Sequence, residues 1–147
     1  MHKQLLWPIK TARLVIKMGC QDDLQAVLNL LSDGELVRLS GLQLPDDQMM
    51  RGWAVNNWLG QQQLLLITDP AGQLVGLISL FPIYANDGNY QIHAMELGYL
   101  LRRDCWGRGI MSEALAAFLQ AFQQFILFQR PALRQFTFTN QGKQRNQ

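Results

Sequence analysis

Apolar residues recur along the chain with two different periods, and each period predicts one class of secondary structure. Between residues 22 and 33 the apolar positions are three or four residues apart, which predicts an amphipathic helix that stops at Asp33-Gly34. Short apolar runs rich in β-branched residues predict strands instead. The predicted order is strand 14–16, helix 22–33, helix 45–60, strands 64–68, 75–81 and 92–101, a helix around residues 114–122, and strand 133–139.

This order of elements defines the expected architecture. The strands at 64–68 and 75–81 flank the turn Asp69-Pro70-Ala71-Gly72 and therefore predict an antiparallel hairpin. Residues 85–91 predict a polar loop. The order β, α, α, β, β, β, α, β differs from the strict alternation of a doubly wound fold, so we expect a mixed α/β domain with a central sheet. No repeat or low-complexity tract divides residues 1–147, which are predicted to form one domain.

Aromatic residues of the predicted helices are expected to lie in the core. In the helix at 45–60, Met50, Trp53, Ala54 and Trp58 can share one face, because their spacing follows the helical period. In the later helix, two phenylalanines lie one turn apart. The aromatic core residues predicted in this way are Trp53, Trp58, Phe118 and Phe122.

The composition is that of a compact globular domain, with 48% hydrophobic and 16% charged residues. Thirteen basic and eleven acidic residues give a net charge of +2, and the basic residues are spread over the whole length. A nucleic-acid-binding arm and a polybasic membrane anchor are therefore not expected. Cys20 and Cys105 do not form a CxxC pair, and His2 and His93 are far apart, so we expect neither a disulfide framework nor a metal site.

The apolar runs predict no insertion into a membrane. The longest of them, at 64–67 and 125–128, are far shorter than the roughly 20 residues that span a bilayer. Near the N-terminus, Pro8 and Lys10 interrupt the apolar stretch 5–7 before it reaches the length of a signal-peptide core. A cytoplasmic location with reduced thiols is therefore expected.

The segment 95–115 contains the pattern that predicts chemistry. A strand leads into the turn Trp106-Gly107-Arg108-Gly109, which leads directly into a helix. The first backbone N–H groups of a helix have no intrahelical acceptor, and glycines allow a ligand to approach the backbone closely. Because the helix dipole and Arg108 add positive potential, the turn predicts a phosphate site, and a pyrophosphate-bearing cofactor is the expected ligand.

Short glycine motifs also occur without ligands, so a tight strand-to-helix turn is the alternative interpretation of this segment. A Walker A loop is excluded, because no Gly-Lys-Ser/Thr sequence precedes the helix. A dinucleotide-binding turn is disfavoured, because Ser112 stands where its third glycine would be and no acidic residue follows about 20 residues later. That later region contains Arg130 and Arg134 instead.

The same segment resembles motif A of the GNAT superfamily of acyl-CoA-dependent N-acyltransferases, in the branch that includes ribosomal-protein N-terminal acetyltransferases. Residues 11–15, 21–23 and 75–78 look like the opening strand, the first helix start and the strand before the acidic one in that branch. The resemblance thus covers nearly all of the chain, and it implies a central mixed, mostly antiparallel sheet flanked by helices. Its most specific residues are Glu96-Leu97-Gly98-Tyr99 on the strand, Trp106-Gly107-Arg108-Gly109 in the turn, and Glu113-Ala114 on the helix.

The resemblance implies that acetyl-CoA is the co-substrate and lies in a cleft where two strands diverge. Main-chain groups of Leu100 and Leu101 are implied to hold the pantetheine arm, and Asn140 to help orient it. The superfamily pattern ends in Gly or Ala where this chain has Met111, whose side chain is expected to crowd the phosphate site unless it points away. The residues implied to surround the pyrophosphate are Trp106, Gly107, Arg108, Gly109, Ile110, Met111 and Ser112.

Acetyl transfer to an amine needs a group that removes a proton from the amine, and Glu96 is the candidate general base. On a strand, Glu96, Gly98 and Leu100 share one face, and Gly98 leaves room there for a ligand. An ordinary half-exposed strand glutamate is the alternative interpretation. Of the neighbouring residues, we expect His93 at a loop edge or the surface, Cys105 as a structural thiol, and Tyr99 packing on the opposite strand face.

Members of the branch usually continue beyond the equivalent of Asn140 with a helix and two strands, so the C-terminal part of the fold is expected to be missing here. An uncovered sheet edge favours self-association, so we expect a homo-oligomer such as a dimer, with exchanged elements. The implied function is transfer of an acetyl group from acetyl-CoA to a primary amine, either a protein N-terminus or a small amine. A non-catalytic module that binds CoA or only self-associates is the alternative.

Overall fold

The computed structural model of the protein describes residues 7–84, 87–88, 90–129 and 137–140. Its strands are β1 (Ile9–Lys10), β2 (Val15–Met18), β3 (Leu64–Thr68), β4 (Leu74–Tyr84), β5 (Tyr90–Leu101) and β6 (Thr137–Asn140). Its α-helices are α1 (Leu24–Leu30), α2 (Gly34–Ser40), α3 (Gln48–Gly60) and α4 (Ile110–Gln129), and 3₁₀ turns lie at Gln21–Asp23 and Arg103–Cys105. The chain therefore forms a mixed α/β fold, as the order of the sequence patterns predicts.

The strands form one sheet in the order β1-β2-β3-β4-β5-β6. Neighbouring strands from β1 to β5 run antiparallel, and β6 runs parallel to β5. The predicted hairpin is present, since the Asp69 N–H donates to the Gln73 carbonyl at 3.0 Å and the Gly72 N–H donates to the Asp69 carbonyl at 2.9 Å. The expected central, mixed and mostly antiparallel sheet is confirmed.

The sheet separates two hydrophobic cores, because alternate side chains of a strand point to opposite faces. One core packs α1, α2 and α3 against the face that contains Leu66, Leu77 and Leu100. The other packs α4 against the face that contains Ile78 and Leu97. The end of β5 therefore lies between two helical layers, with α2 on one side and α4 on the other.

Helix α2 is not predicted by the sequence pattern. The pattern predicts a helix stop at Asp33-Gly34, but these residues also begin the next helix. Helix α1 already ends at Leu30, and Asp33 caps the following helix. Its carboxylate accepts hydrogen bonds from the N–H groups of Glu35 and Leu36 at 3.2 and 3.4 Å. Such a cap satisfies donors that a helix start leaves unpaired. With seven residues, α2 is too short to show a clear helical period.

The prediction that Trp53 lies in the core is wrong. Its side chain is 72% exposed, whereas Val55 and Leu59 of the same helix are buried. Trp58 packs beside them against the core on this face of the sheet. The stripe through residues 50, 53 and 54 and the stripe through 55, 58 and 59 both have helical spacing, so the period alone does not identify the buried one. Of the other predicted aromatic core residues, Phe118 is buried and Phe122 packs beside it.

Helix α4 is the longest of the described helices, with 20 residues. Its buried residues Ala114 and Phe118 face the sheet, and the rings of Phe118 and Phe122 lie 6.0 Å apart. Neither α4 nor any other helix in the described residues is long and apolar enough to cross a membrane.

Two of the predicted elements reach beyond the described residues. The strand predicted at 133–139 contributes 137–139 to β6, and 133–136 lie outside the described part. In the loop predicted at 85–91, residues 85, 86 and 89 lie outside it as well. The strands on both sides of this loop are longer than predicted, since β4 extends to Tyr84 and β5 begins at Tyr90.

Candidate active site

A gap in the sheet lies beside the last part of β5. The pairing of β5 with β6 runs from Ala94 and Thr137 to Leu97 and Asn140, whereas β5 itself continues to Leu101. Among the described residues, positions 98–101 therefore have a neighbouring strand on the β4 side only. Such a gap leaves main-chain N–H and C=O groups available to an extended ligand. Asn140 lies at its narrow end, in register with Leu97.

A cavity of about 450 Å³ opens at this gap. A volume of this size is typical of small-molecule sites. The end of β5, the turn before α4, the first residues of α4 and one side of α2 form its walls. The lining residues are Leu36, Leu39, Ser40, Tyr99, Leu100, Leu101, Trp106, Gly107, Gly109, Ile110, Met111 and Ser112. Eight of the ten residues expected to bind acetyl-CoA thus line one cavity, and the other two, Arg108 and Asn140, belong to the turn and to the end of β6.

The turn before α4 presents a series of unpaired amides. Gly107 and Gly109 have φ angles of 76° and 71°, in the left-handed region that residues with a Cβ atom rarely adopt. The Trp106 N–H donates to the Arg103 carbonyl at 3.1 Å, and the Glu113 N–H donates to the Gly109 carbonyl at 3.0 Å. Between Trp106 and Glu113, the N–H groups of residues 107–112 donate to no other described residue. The arrangement is that of an anion site at a helix start.

Trp106 connects this turn to the strand. Its indole N–H donates to the Leu101 carbonyl at 2.8 Å, and its side chain is 47% exposed. The bond engages one of the main-chain groups expected to hold the pantetheine arm. A carbonyl oxygen has two lone pairs, so Leu101 can still accept a second hydrogen bond from a ligand.

Helix α2 is a wall of the cavity that sequence reasoning missed. Arg103, which follows β5, donates from Nε and Nη2 to the Asp33 carboxylate at 2.6 and 2.7 Å. The hydrogen bond from Arg103 lowers the pKa of Asp33, because it stabilises the charged carboxylate. This two-point bond fixes the start of α2 to the turn after β5. It joins residues 70 positions apart, a separation at which no local pattern indicates a contact.

A second polar cluster lies at the start of α4, and sequence reasoning missed two of its members. Glu113, in the first turn of the helix, accepts from the Thr11 hydroxyl at 2.5 Å and from the Arg13 Nε at 2.9 Å. These partners hold the pKa of the Glu113 carboxyl below its ordinary value, and the Thr11 hydroxyl has the largest effect. The segment before β2 is thereby tied to the helix that begins at the amide-rich turn.

Glu96 lies on the same strand as the cavity. It is half-buried, and its register partners are Phe81 on β4 and Thr139 on β6. Phe81 forms an edge-to-face pair with Trp58 of α3, with ring centroids 5.2 Å apart, so an aromatic wall stands on the Glu96 side of the sheet. At about 3.4 Å per residue, Glu96 is roughly 17 Å along β5 from Leu101. A ligand lying along the free edge of β5 would reach from the turn to this carboxylate.

The remaining expectations concern residues near the strand. Tyr99 packs against the core on the α4 side, opposite the face of Leu100, as expected. Cys105 is buried, and Met111 both lines the cavity and packs against the α4 core. His93 belongs to β5, but its side chain lies outside the described residues. Within the described part of the chain, no group of three His, Cys, Asp or Glu side chains could hold a metal ion.

Comparison with known families gives a match over most of the chain. The model of the acetyltransferase (GNAT) domain matches residues 13–143. This range contains the cavity, the turn before α4, and Glu96. No curated protein matches the sequence significantly.

Solved structures share the fold. The chain is similar to an acetyltransferase of the GNAT family from Bacillus anthracis, with TM-score 0.62 and 22% identity over 81% of this chain and 68% of that one. It is similar to an acetyl transferase from Salmonella typhimurium that modifies the N-terminal serine of a 50S ribosomal subunit protein, with TM-score 0.60 and 21% identity over 79% and 67%. A third is the RimL ribosomal alpha-N-protein acetyltransferase in complex with coenzyme A, with TM-score 0.60 and 20% identity over 78% and 67%. The chain spans about two thirds of the length of such structures.

Proposed function

The chain belongs to the GNAT family of acyl-CoA-dependent N-acetyltransferases, whose co-substrate is acetyl-CoA, and we propose that it acetylates a primary amine with Glu96 as general base. The observation that carries the proposal is the succession of three features along β5 and the turn that follows it. The Glu96 carboxylate and the free edge of β5 follow one another along about 17 Å of strand, and the turn with the unpaired amides comes after the strand ends at Leu101. An extended thioester cofactor fits this order.

The proposed binding mode assigns each end of the cofactor to a different group. The N–H groups of residues 107–112 and the positive end of the α4 dipole would hold the diphosphate. Main-chain groups of Leu100 and Leu101 would bind the pantetheine arm in the gap beside β5. The acetyl thioester would then lie on the side of Glu96, next to the Phe81–Trp58 pair.

The proposed reaction is a direct transfer. The amine nitrogen attacks the thioester carbonyl carbon, the carbon–sulfur bond breaks, and CoA leaves as a thiolate that takes up a proton from solvent. The Glu96 carboxylate removes a proton from the amine, either directly or through a water molecule. No acetyl group is transferred to the protein, so the buried Cys105 needs no chemical role.

The proposed acceptor is a protein N-terminus or a small amine. Similar folds include an acetyltransferase that modifies an N-terminal serine, which favours a protein N-terminus as the acceptor.

We also propose a cytoplasmic location, in which Cys20 and Cys105, both free thiols, remain reduced. We further propose that the protein self-associates through the β6 edge of the sheet.

The test combines binding with turnover. Calorimetric titration should detect acetyl-CoA binding, and amine acceptors should release free thiol from it. Glu96→Gln keeps the size of the side chain but removes the base, and a base of this kind contributes about 10²–10⁴-fold to rate. The turnover number should therefore fall by that factor, with little change in the dissociation constant of acetyl-CoA. The matched control is Asp22→Asn, since Asp22 is an exposed carboxylate outside the cavity. Equal turnover in the Glu96→Gln variant and the wild type would rule out the general-base role.

A second candidate function is binding of CoA without catalysis. It is favoured by Met111, which lines the cavity where the family pattern has glycine or alanine. The same experiment separates the two functions. Heat of binding without thiol release for any acceptor would support the non-catalytic module, whereas neither heat nor a thermal shift at high acetyl-CoA concentration would exclude both.

A further inference from the structure

Arg13 reaches the amide-rich turn from a distant part of the chain. It lies just before β2, and its Nη2 is 3.8 Å from the point at which a side chain on Gly109 would begin. Its guanidinium therefore stands beside the backbone that offers N–H groups to an anion. A second cation, besides Arg108 of the turn itself, is thus present at the start of α4.

The guanidinium is held in one orientation. Its Nε and Nη2 each lie 2.9 Å from Oε1 of Glu113. The other carboxylate oxygen of Glu113 accepts from the Thr11 hydroxyl at 2.5 Å and from the main-chain N–H of Arg13 at 3.3 Å. An arginine fixed in this way loses less entropy when it binds a further partner than a free surface arginine does.

The orientation leaves donors for a ligand. A guanidinium has five N–H groups in a planar fork, and the one on Nε donates to Glu113, whose Oε1 also lies 2.9 Å from Nη2 as an ion pair. Within the described residues, the N–H groups of Nη1 and Nη2 make no hydrogen bond. The side chain of Arg13 is 45% exposed, so solvent or a ligand can reach it. The carboxylate of Glu113 would repel an anion near the helix start, and Arg13 compensates that charge.

We propose that Arg13 binds the diphosphate of acetyl-CoA, with Glu113 and Thr11 as positioning residues for its guanidinium. The inference rests on the proposed function, since it requires the diphosphate to lie at the turn before α4. Arginine is suited to this role because its fork donates two parallel hydrogen bonds to a phosphate. A purely structural tether between β2 and α4 is the competing explanation of the same contacts.

Two ligands distinguish the two explanations. CoA carries the diphosphate, whereas pantetheine contains the same arm without any phosphate. Calorimetry or competition binding with both is carried out on the wild type, Arg13→Gln and Arg13→Lys. Lys17→Gln serves as the control, because Lys17 is 42% exposed and pairs with one carboxylate at 3.0 Å, much as Arg13 does. Dephospho-CoA, which keeps the diphosphate and lacks the 3′-phosphate, identifies the phosphate concerned.

The proposal predicts a selective loss. Arg13→Gln should weaken CoA and dephospho-CoA by about tenfold, as expected for a lost charge-assisted hydrogen bond, and leave pantetheine unchanged. Arg13→Lys should recover part of the affinity, the salt dependence of CoA binding should decrease in Arg13→Gln, and Lys17→Gln should bind every ligand like the wild type.

Other outcomes overturn it. Equal weakening of CoA and pantetheine in Arg13→Gln would assign Arg13 a structural role. Unchanged CoA affinity in that variant would exclude Arg13 from the site while leaving the proposed function intact. A loss for CoA but not for dephospho-CoA would transfer the role to the 3′-phosphate. A wild-type protein that binds no CoA at all would overturn this inference together with the proposed function.

Discussion

At the scale of single residues, Glu113 is a carboxyl whose pKa is shifted by its partners in the fold. Its folded-state pKa is below the ordinary value of 4.5 because the Thr11 hydroxyl and Arg13 stabilise the charged form. A carboxyl of this kind stabilises the fold above its unfolded-state pKa, and the contribution is lost as the pH falls through the lower, folded-state pKa. Glu113→Gln should therefore lower Tm at pH 7, and the difference from the wild type should shrink below pH 4.5. Thermal unfolding followed across pH measures this.

A second variant checks the cause of the shift. Thr11→Val removes the hydroxyl that lowers the pKa of Glu113 most, so the stabilising contribution of this carboxyl should begin to disappear at a higher pH than in the wild type. A Tm difference between Glu113→Gln and the wild type that stays constant from pH 7 to acid would show that the charge of Glu113 does not stabilise the fold.

At the scale of elements, the long periodic ones were predictable and the short or ambiguous ones were not. Helix α4 and strands β3 to β5 follow runs of one period that are long enough to identify. Helix α2, with seven residues, and β1, with two, are too short for that. On α3 two apolar stripes compete, and packing against the sheet decides that residues 55, 58 and 59 are buried while Trp53 is exposed. Local periodicity contains no information about such tertiary choices.

Close contact between β4 and β5 gives the prediction at this scale. A Cβ on Gly76 would lie 2.6 Å from the Leu100 carbonyl oxygen and 3.1 Å from Cδ1 of Leu101. Gly76→Ala therefore has to displace the end of β5, which forms a wall of the cavity. We expect a loss of about 1–3 kcal/mol in the free energy of unfolding, the usual cost of overpacking, together with weaker acetyl-CoA binding. Urea unfolding and calorimetry measure the two effects.

The matched control is Gly34→Ala at the start of α2. A Cβ there would meet no atom within 4 Å. Because alanine restricts the unfolded chain more than glycine does, this variant should gain about 0.4–1 kcal/mol in the free energy of unfolding. Its acetyl-CoA binding should match the wild type. If Gly76→Ala binds acetyl-CoA as tightly as Gly34→Ala, the end of β5 is not part of the binding site.

At the scale of the whole molecule, the site divides into a part that is local in sequence and a part that is not. The strand with Glu96, the glycine turn and the start of α4 follow one another within residues 95–115, so one stretch of sequence was enough to predict them. The contacts of Arg13 with Glu113 span 100 positions, and those of Arg103 with Asp33 span 70. They arise only because the sheet brings β2, α2 and α4 together. Sequence reasoning therefore named most of the residues of β5, the turn and α4 that line the cavity, and it missed the side chains that brace it.

The edge of the sheet gives the last prediction. In the described residues β6 is the final strand of the order, and it pairs with β5 alone. An uncovered strand edge presents unpaired N–H and C=O groups that readily add another strand. We therefore expect the protein to self-associate through β6, and sedimentation velocity should give twice the monomer mass at micromolar concentration with dissociation on dilution. A single monomer species across that range would contradict this, and would mean that this edge is covered within one chain.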